Sequence, residues 1–162
     1  MPAAHKVRVQ QYCGSQDLLA RLARDLRDLQ QAPSAAAALD RTLTFCITAW
    51  SLTAWLYPLI ARDAALRRQI ARLADHSMTS LDAEVFAAIA AGQSPNLELC
   101  ADISADPTRL AVQSTGAGWL LLLLEGGEAM PLELIRFSGV LTFWRQFVRT
   151  YLSDRPVIRR AA

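Results

Sequence analysis

Thr44-Phe45-Cys46-Ile47-Thr48-Ala49-Trp50-Ser51-Leu52-Thr53-Ala54-Trp55-Leu56-Tyr57 carries no charge and sets two tryptophans five residues apart, with small hydroxylated side chains between them. Its apolar residues fall on more than one side of a helix. Leu39, Leu43, Cys46, Trp50 and Ala54 line one face of a helix predicted from about Ala35 to Tyr57, and Phe45, Leu52, Leu56 and Leu59 lie on another. A helix that is apolar on several sides is buried on several sides. The segment is therefore read as the central helix of a bundle, with Pro58 kinking or ending it near Tyr57.

The competing reading of this segment is a membrane span, since Thr42 to Ala61 holds no charge, has Arg41 and Arg62 as flanks and is long enough to cross. Thr42, Thr44, Thr48, Ser51 and Thr53, with Pro58, lower its hydrophobicity well below that of a leucine-rich span. The rest of the chain is amphipathic and needs a helix to pack on, so the buried-core reading is preferred and a membrane partner is not expected.

With 162 residues, 52% of them hydrophobic, the chain can bury one good core and is too short for two typical domains. A charged fraction of 20% is on the apolar side for a soluble domain and hints at a partner surface. Seventeen Lys and Arg against fifteen Asp and Glu leave a net charge of only +2, far from the balance of a dedicated nucleic-acid binder. Cys13, Cys46 and Cys100 form no Cys-x-x-Cys pair. The last two sit in apolar helical patterns, as small buried thiols do. A reducing, cytoplasmic compartment without a disulfide framework is expected, and the N-terminus lacks the apolar run of a secretory signal.

Outward from the central segment, Ser15 to Gln31 predicts a first helix with Leu18, Leu22, Leu26 and Leu29 inward. Arg21, Arg24, Arg27, Asp25 and Asp28 fall on its solvated face. Ala32-Pro33-Ser34 breaks it, with Ser34 as the next N-cap. Asp63 to about Ser77 predicts a shorter helix with Leu66, Ile70 and Leu73 inward. Thr79-Ser80-Leu81-Asp82 reads as a capping box for a helix reaching Ala91 and stopped by Gly92. Ser94-Pro95 caps a helix over Asn96–Ser104, ended by Pro107. Arg109–Gln113 and Trp119–Glu125 predict a β-hairpin over the Gly116-Ala117-Gly118 turn. From Pro131 to Leu152, Leu134, Phe137, Leu141, Trp144, Val148 and Tyr151 alternate spacings of three and four, a seam for packing on another helix. Val140, Phe143 and Phe147 broaden that seam, and the excess is read as available to another protomer. The expected fold is mainly α, a bundle of four to six helices with one small β-hairpin before the C-terminal helix. Residues 1–14 form an N-terminal extension, 15–153 a single domain and 154–162 a basic disordered tail.

Thr48-Ala49-Trp50 with Trp55-Leu56, Cys100 with Asp102-Ile103, and Phe143-Trp144 with Phe147 give the chain a recognisable outline. It resembles the HEPN-like proteins of bacteria and phages, helical bundles often found in toxin–antitoxin and anti-phage systems. The resemblance implies a bundle of four to five helices. Active members of that superfamily are metal-independent ribonucleases in which an Arg is followed four to six residues later by a His, paired across a dimer. The His moves the proton and the Arg stabilises charge on the phosphate. By position the Arg falls at Ala101 and the His near Pro107 or Thr108, and Ser51 and Ala54 stand where related chains tend to carry a polar His and Asp. The resemblance thus implies the fold without the nuclease pair.

Arg72 with His76 is the only other Arg/His pair, and a solvated Arg beside a His at a helix C-terminus accounts for it. With His5 far away and no Cys, His or Asp cluster, neither a metal site nor a cofactor is expected. The preferred function is a non-catalytic helical interaction module, a homo-oligomer or the partner of another protein in a bacterial defence, toxin–antitoxin or mobile-element system. Its candidate interface residues are Trp50, Trp55, Phe137, Trp144, Phe147 and Tyr151. The first alternative is a subunit contacting RNA or single-stranded DNA through Arg62, Arg67, Arg68 and Arg72 on one face and Arg145 and Arg149, with Arg155, Arg159 and Arg160, on another. The second is a ribonuclease with a rearranged site.

Overall fold

The computed structural model describes residues 14–74 and 81–152. The expected N-terminal extension through Cys13, the helix end around His76, Thr79-Ser80 of the capping box and the basic tail lie outside the described residues. Among the described residues the fold is mainly α, six α-helices with a small antiparallel sheet inserted before the last of them.

Helix α1 covers Ser15–Gln30 and buries the expected stripe of Leu18, Leu22, Leu26 and Leu29. Ser34 caps α2 as expected, its Oγ accepting the Ala37 N–H at 3.2 Å. Helix α2 covers Ala35–Ala61, about 40 Å of helix, and packs against α1, the sheet and the helices that follow. Pro58 neither ends nor breaks it. The proline sits in the last turn, where it removes one ladder bond. Leu56 and Ile60, both fully buried, fix that turn in the core and outweigh the local penalty.

Asp63 caps α3 (Ala64–Ala71), which tightens into a 3-10 turn at Arg72–Ala74. Asp82 caps α4 (Ala83–Gln93) by accepting the Val85 N–H at 2.8 Å. Gly92 does not stop α4 but lies within it, and Ser94 both ends α4 and caps α5 (Pro95–Ala105).

The expected hairpin is present and gains a third strand. Strands β1 (Leu110–Thr115), β2 (Gly118–Glu125) and β3 (Glu128–Pro131) form an antiparallel meander. Gly126 and Gly127 close the second turn with φ of +58° and +83°, the left-handed pair a two-residue hairpin requires. The leucine run of β2 resolves by alternation: Leu121 and Leu123 point into the core, and Leu120, Leu122 and Leu124 point away. Pro131 ends β3, so α6 starts later than expected and covers Ile135–Tyr151.

An aromatic cluster joins the layers. Phe86 of α4 lies 5.6 Å from Phe147 and 6.5 Å from Trp144 between ring centroids, and Tyr57 of α2 stacks on it at 6.2 Å. Phe45 meets Phe137 edge-on at 5.4 Å. The Trp144 indole donates to the Ala49 carbonyl at 3.0 Å, an approach that the small Ala49 side chain permits. The Trp119 indole donates to the Ala32 carbonyl at 2.8 Å, tying β2 to the corner between α1 and α2.

Candidate interaction faces

The apolar seam of α6 is largely covered within the chain. Phe137 and Trp144 are fully buried, Phe147 is 6% exposed, and Tyr151 is half-buried against the Phe147 ring at 4.8 Å. Part of this seam is expected from the sequence to be free for another protomer; instead Phe86 of α4 packs against Trp144 and Phe147 there. Of the six interface candidates, Trp50 is half-buried and only Trp55, 42% exposed, presents a large surface.

Helix α2 is likewise not buried on all sides. Asp40, Thr44, Ile47, Ala54, Trp55, Pro58 and Arg62 are exposed and Ser51 is partly so. These residues recur every three or four positions and so share one face. Ile47 is 47% exposed. The face runs without a charge between Asp40 and Arg62, and neither of those two makes an ion pair among the described residues. An uncharged helix face of about five turns, open to solvent, is the kind of surface that marks a binding site.

The inner side of α2 does polar work that the sequence reading placed elsewhere. Asp25, expected on the solvated face of α1, is 8% exposed and accepts the Thr48 hydroxyl at 2.6 Å while Arg21 approaches at 3.5 Å. A charged hydrogen bond thus fixes α1 against α2. The spacing does separate Asp25 from Asp28: Asp25 stands three residues after Leu22 and four before Leu29, within the buried stripe, whereas Asp28 falls off it and is exposed.

The arginines divide. Arg62, Arg67, Arg68 and Arg72 are exposed around the end of α2 and along α3. Arg145 and Arg149, one turn apart on α6, line a shallow groove of about 380 Å³ with Gln16, Leu19 and Ala20 of α1. No carboxylate of the described residues pairs with either. Arg109 is different: its guanidinium lies 3.5 Å from Asp102 and 3.4 Å from Glu125, clamping α5 to β2. The Asp102 of the family-like motif is therefore spent on a surface clamp.

Ala101 is half-buried, and Pro107 and Thr108 are exposed at the turn after α5, so the positions where the resemblance would put an Arg and a His carry no ionisable side chain. Both histidines lie outside the described residues, and with them the Arg72–His76 pair. Among the described residues no group of three His, Cys, Asp or Glu side chains is placed to hold a metal ion. Cys46 and Cys100 are free, fully buried thiols, as expected, and they meet across α2 and α5. The hydrogen bond with Cys100, and then burial, push the Cys46 thiol well above its ordinary pKa. A neutral, buried thiol is an inert one.

Apolar residues are also exposed elsewhere: Ile135 at the start of α6 is 72% exposed and Met130 of β3 42%. Leu120 and Leu124, each 39% exposed, stand on the outer side of the sheet. A cleft of about 450 Å³ between α3 and α4 is lined by Leu73, Val85, Ala88 and Ile89. By length and composition α2 passes for a membrane span, yet its inner side belongs to the core: Phe45, Cys46, Ala49, Leu52, Leu56 and Ile60 are fully buried. No family model, curated protein or solved structure matches the chain.

Proposed function

We propose that the chain is a non-catalytic helical interaction module, working as a dimer or as a subunit of a cytoplasmic bacterial defence, toxin–antitoxin or mobile-element system. The observation that carries this reading is the open face of α2, where Ile47 and Trp55 are 47% and 42% exposed on a surface free of charge from Thr42 to Ala61. A globular chain that buries Trp144, Phe137 and Phe86 fully has apolar capacity to spare, and exposing a tryptophan on an uncharged helix face has a use only if something covers it. Catalysis has no comparable support, because Arg109 is held by two carboxylates and the Ala101 position offers no acid, base or cation. A photo-reactive amino acid at Ile47 is expected to cross-link to protein in cells, a second copy of the chain included, whereas the same group at the exposed Glu98 of α5 is not. Absence of any product from Ile47 would end this reading.

The nucleic-acid alternative keeps one supporting observation, the Arg145–Arg149 groove without a counter-charge. On that reading a labelled RNA or single-stranded DNA binds with an affinity that falls steeply with salt, and the double substitution R145A/R149A flattens the slope. No binding at low salt removes it.

A further inference from the structure

The open face of α2 is arranged to meet itself. Along it, Asp40, Thr44, Ile47, Ser51, Trp55, Pro58 and Arg62 are spaced 4, 3, 4, 4, 3 and 4 residues apart, a series that reads the same in both directions from Ser51. When two copies of one helix pack antiparallel about a two-fold axis, residues facing each other have numbers with a constant sum. With the axis at Ser51, Ile47 lies beside the partner's Trp55, Thr44 beside its Pro58 and Asp40 beside its Arg62. The series is symmetric in spacing and antisymmetric in charge, an acid at one end and a base at the other. In a parallel pair Asp40 would face Asp40 and Arg62 would face Arg62. Antiparallel packing instead makes two opposite-charge pairs at the ends of an uncharged seam, and it gives a partner to the two charges of this face that have none among the described residues.

The centre fits as well. Ser51 is small and only partly exposed, so two helix backbones can approach there to the 8–10 Å typical of packed helices, roughly, while the larger Ile47 and Trp55 fill the space on either side. We propose that this face binds a second copy of the chain, α2 against α2, antiparallel and centred on Ser51. The proposal rests on the interaction-module reading and names its partner. A single helix pair is at the small end of specific interfaces, below about 1,200 Å² in total, so the association expected is of order micromolar.

Light scattering across roughly 1 to 500 μM protein should show mass rising from monomer to dimer. Reversing one charge, D40R or R62D, sets like charges together twice per dimer and should weaken association about tenfold, while D40R/R62D together restores it. With Cys13→Ser as background, S51C should give a disulfide dimer under mild oxidant. I47C should not, because the two copies of that position stand about 12 Å apart along the antiparallel axis, beyond disulfide reach. The charge rescue and the S51C-only cross-link support the proposal. A monomer at all concentrations, a dimer unaffected by W55E, or an I47C cross-link as efficient as that of S51C overturns it. If the chain stays monomeric yet the Ile47 photo-probe captures a different protein, the self-pairing fails and the interaction reading stands; if the probe captures nothing, both fail.

Discussion

Helices α2 and α6 are alike in sequence and opposite in use. Both carry a seam of apolar residues at spacings of three and four, and both hold aromatic pairs. On α6 the seam is satisfied at home, with Phe137 against Phe45, and Trp144 and Phe147 against Phe86. On α2 one side fills the core and the other leaves Ile47 and Trp55 in solvent. Whether an apolar seam is core or interface is therefore decided by what the fold brings against it and not by how apolar it is.

The sharpest test of the contrast compares two tryptophans. Trp144→Ala removes a fully buried ring and its bond to the Ala49 carbonyl, and should cost about 3–5 kcal/mol in urea unfolding. Trp55→Ala should leave the stability of the folded monomer within about 0.5 kcal/mol of the parent. Equal effects would collapse the distinction between the helices. Next in size is Thr48→Val, which keeps the shape and removes the hydroxyl donated to the nearly buried Asp25; about 1.5–3 kcal/mol should be lost. A neutral result would mean that the α1–α2 contact does not depend on that bond.

Much of the frame is legible in the chain before folding is considered. The α1 stripe, the Ser34 and Ser94 caps and the seam of α6 are periodic or local signals, and each lies where its residues put it. What the chain hides is competition. Pro58 is a helix breaker by local chemistry and is overruled by the burial of Leu56 and Ile60 around it. Glu128-Ala129-Met130-Pro131 has no β-branched or aromatic residue and pairs as a strand because the Gly126-Gly127 turn delivers it to β2. The candidate interface residues separate by exposure. Trp55 is in the open, but Trp144 and Phe147 are not, since an apolar side chain does not announce which neighbour will take it.

Smaller effects probe the inner side of α2. Because contact with Cys100 and burial raise the Cys46 pKa in the folded chain, its contribution to stability is complete below the unfolded thiol value, about 8.5, and is lost as pH climbs toward the folded one. Urea midpoints should fall above that pH in the parent and fall less in Cys46→Ala; parallel curves would deny the thiol any role. The least effect is expected at Gly139 of α6. A Cβ there meets the Asn96 amide at 2.6 Å and displaces it from Arg136, whose Nε donates to Asn96 at 2.9 Å. Gly139→Ala gains about 1 kcal/mol of helix propensity and loses a bond of similar worth, for a net change near zero. In an Asn96→Ala background the same change should stabilise by about 1 kcal/mol.

The two indole bonds have a bearing on how the chain is made. Trp119 reaches back 87 residues to Ala32, and Trp144 reaches back 95 to Ala49. A chain emerging from the ribosome amino-end first therefore exposes α1 and α2 well before their closing partners exist, and only α1 is there to cover part of α2. Folding cannot finish until α6 has been synthesised. For that interval the helix that ends with one face in solvent exposes more than one, which makes the N-terminal helical pair the stretch of the nascent chain most in need of protection.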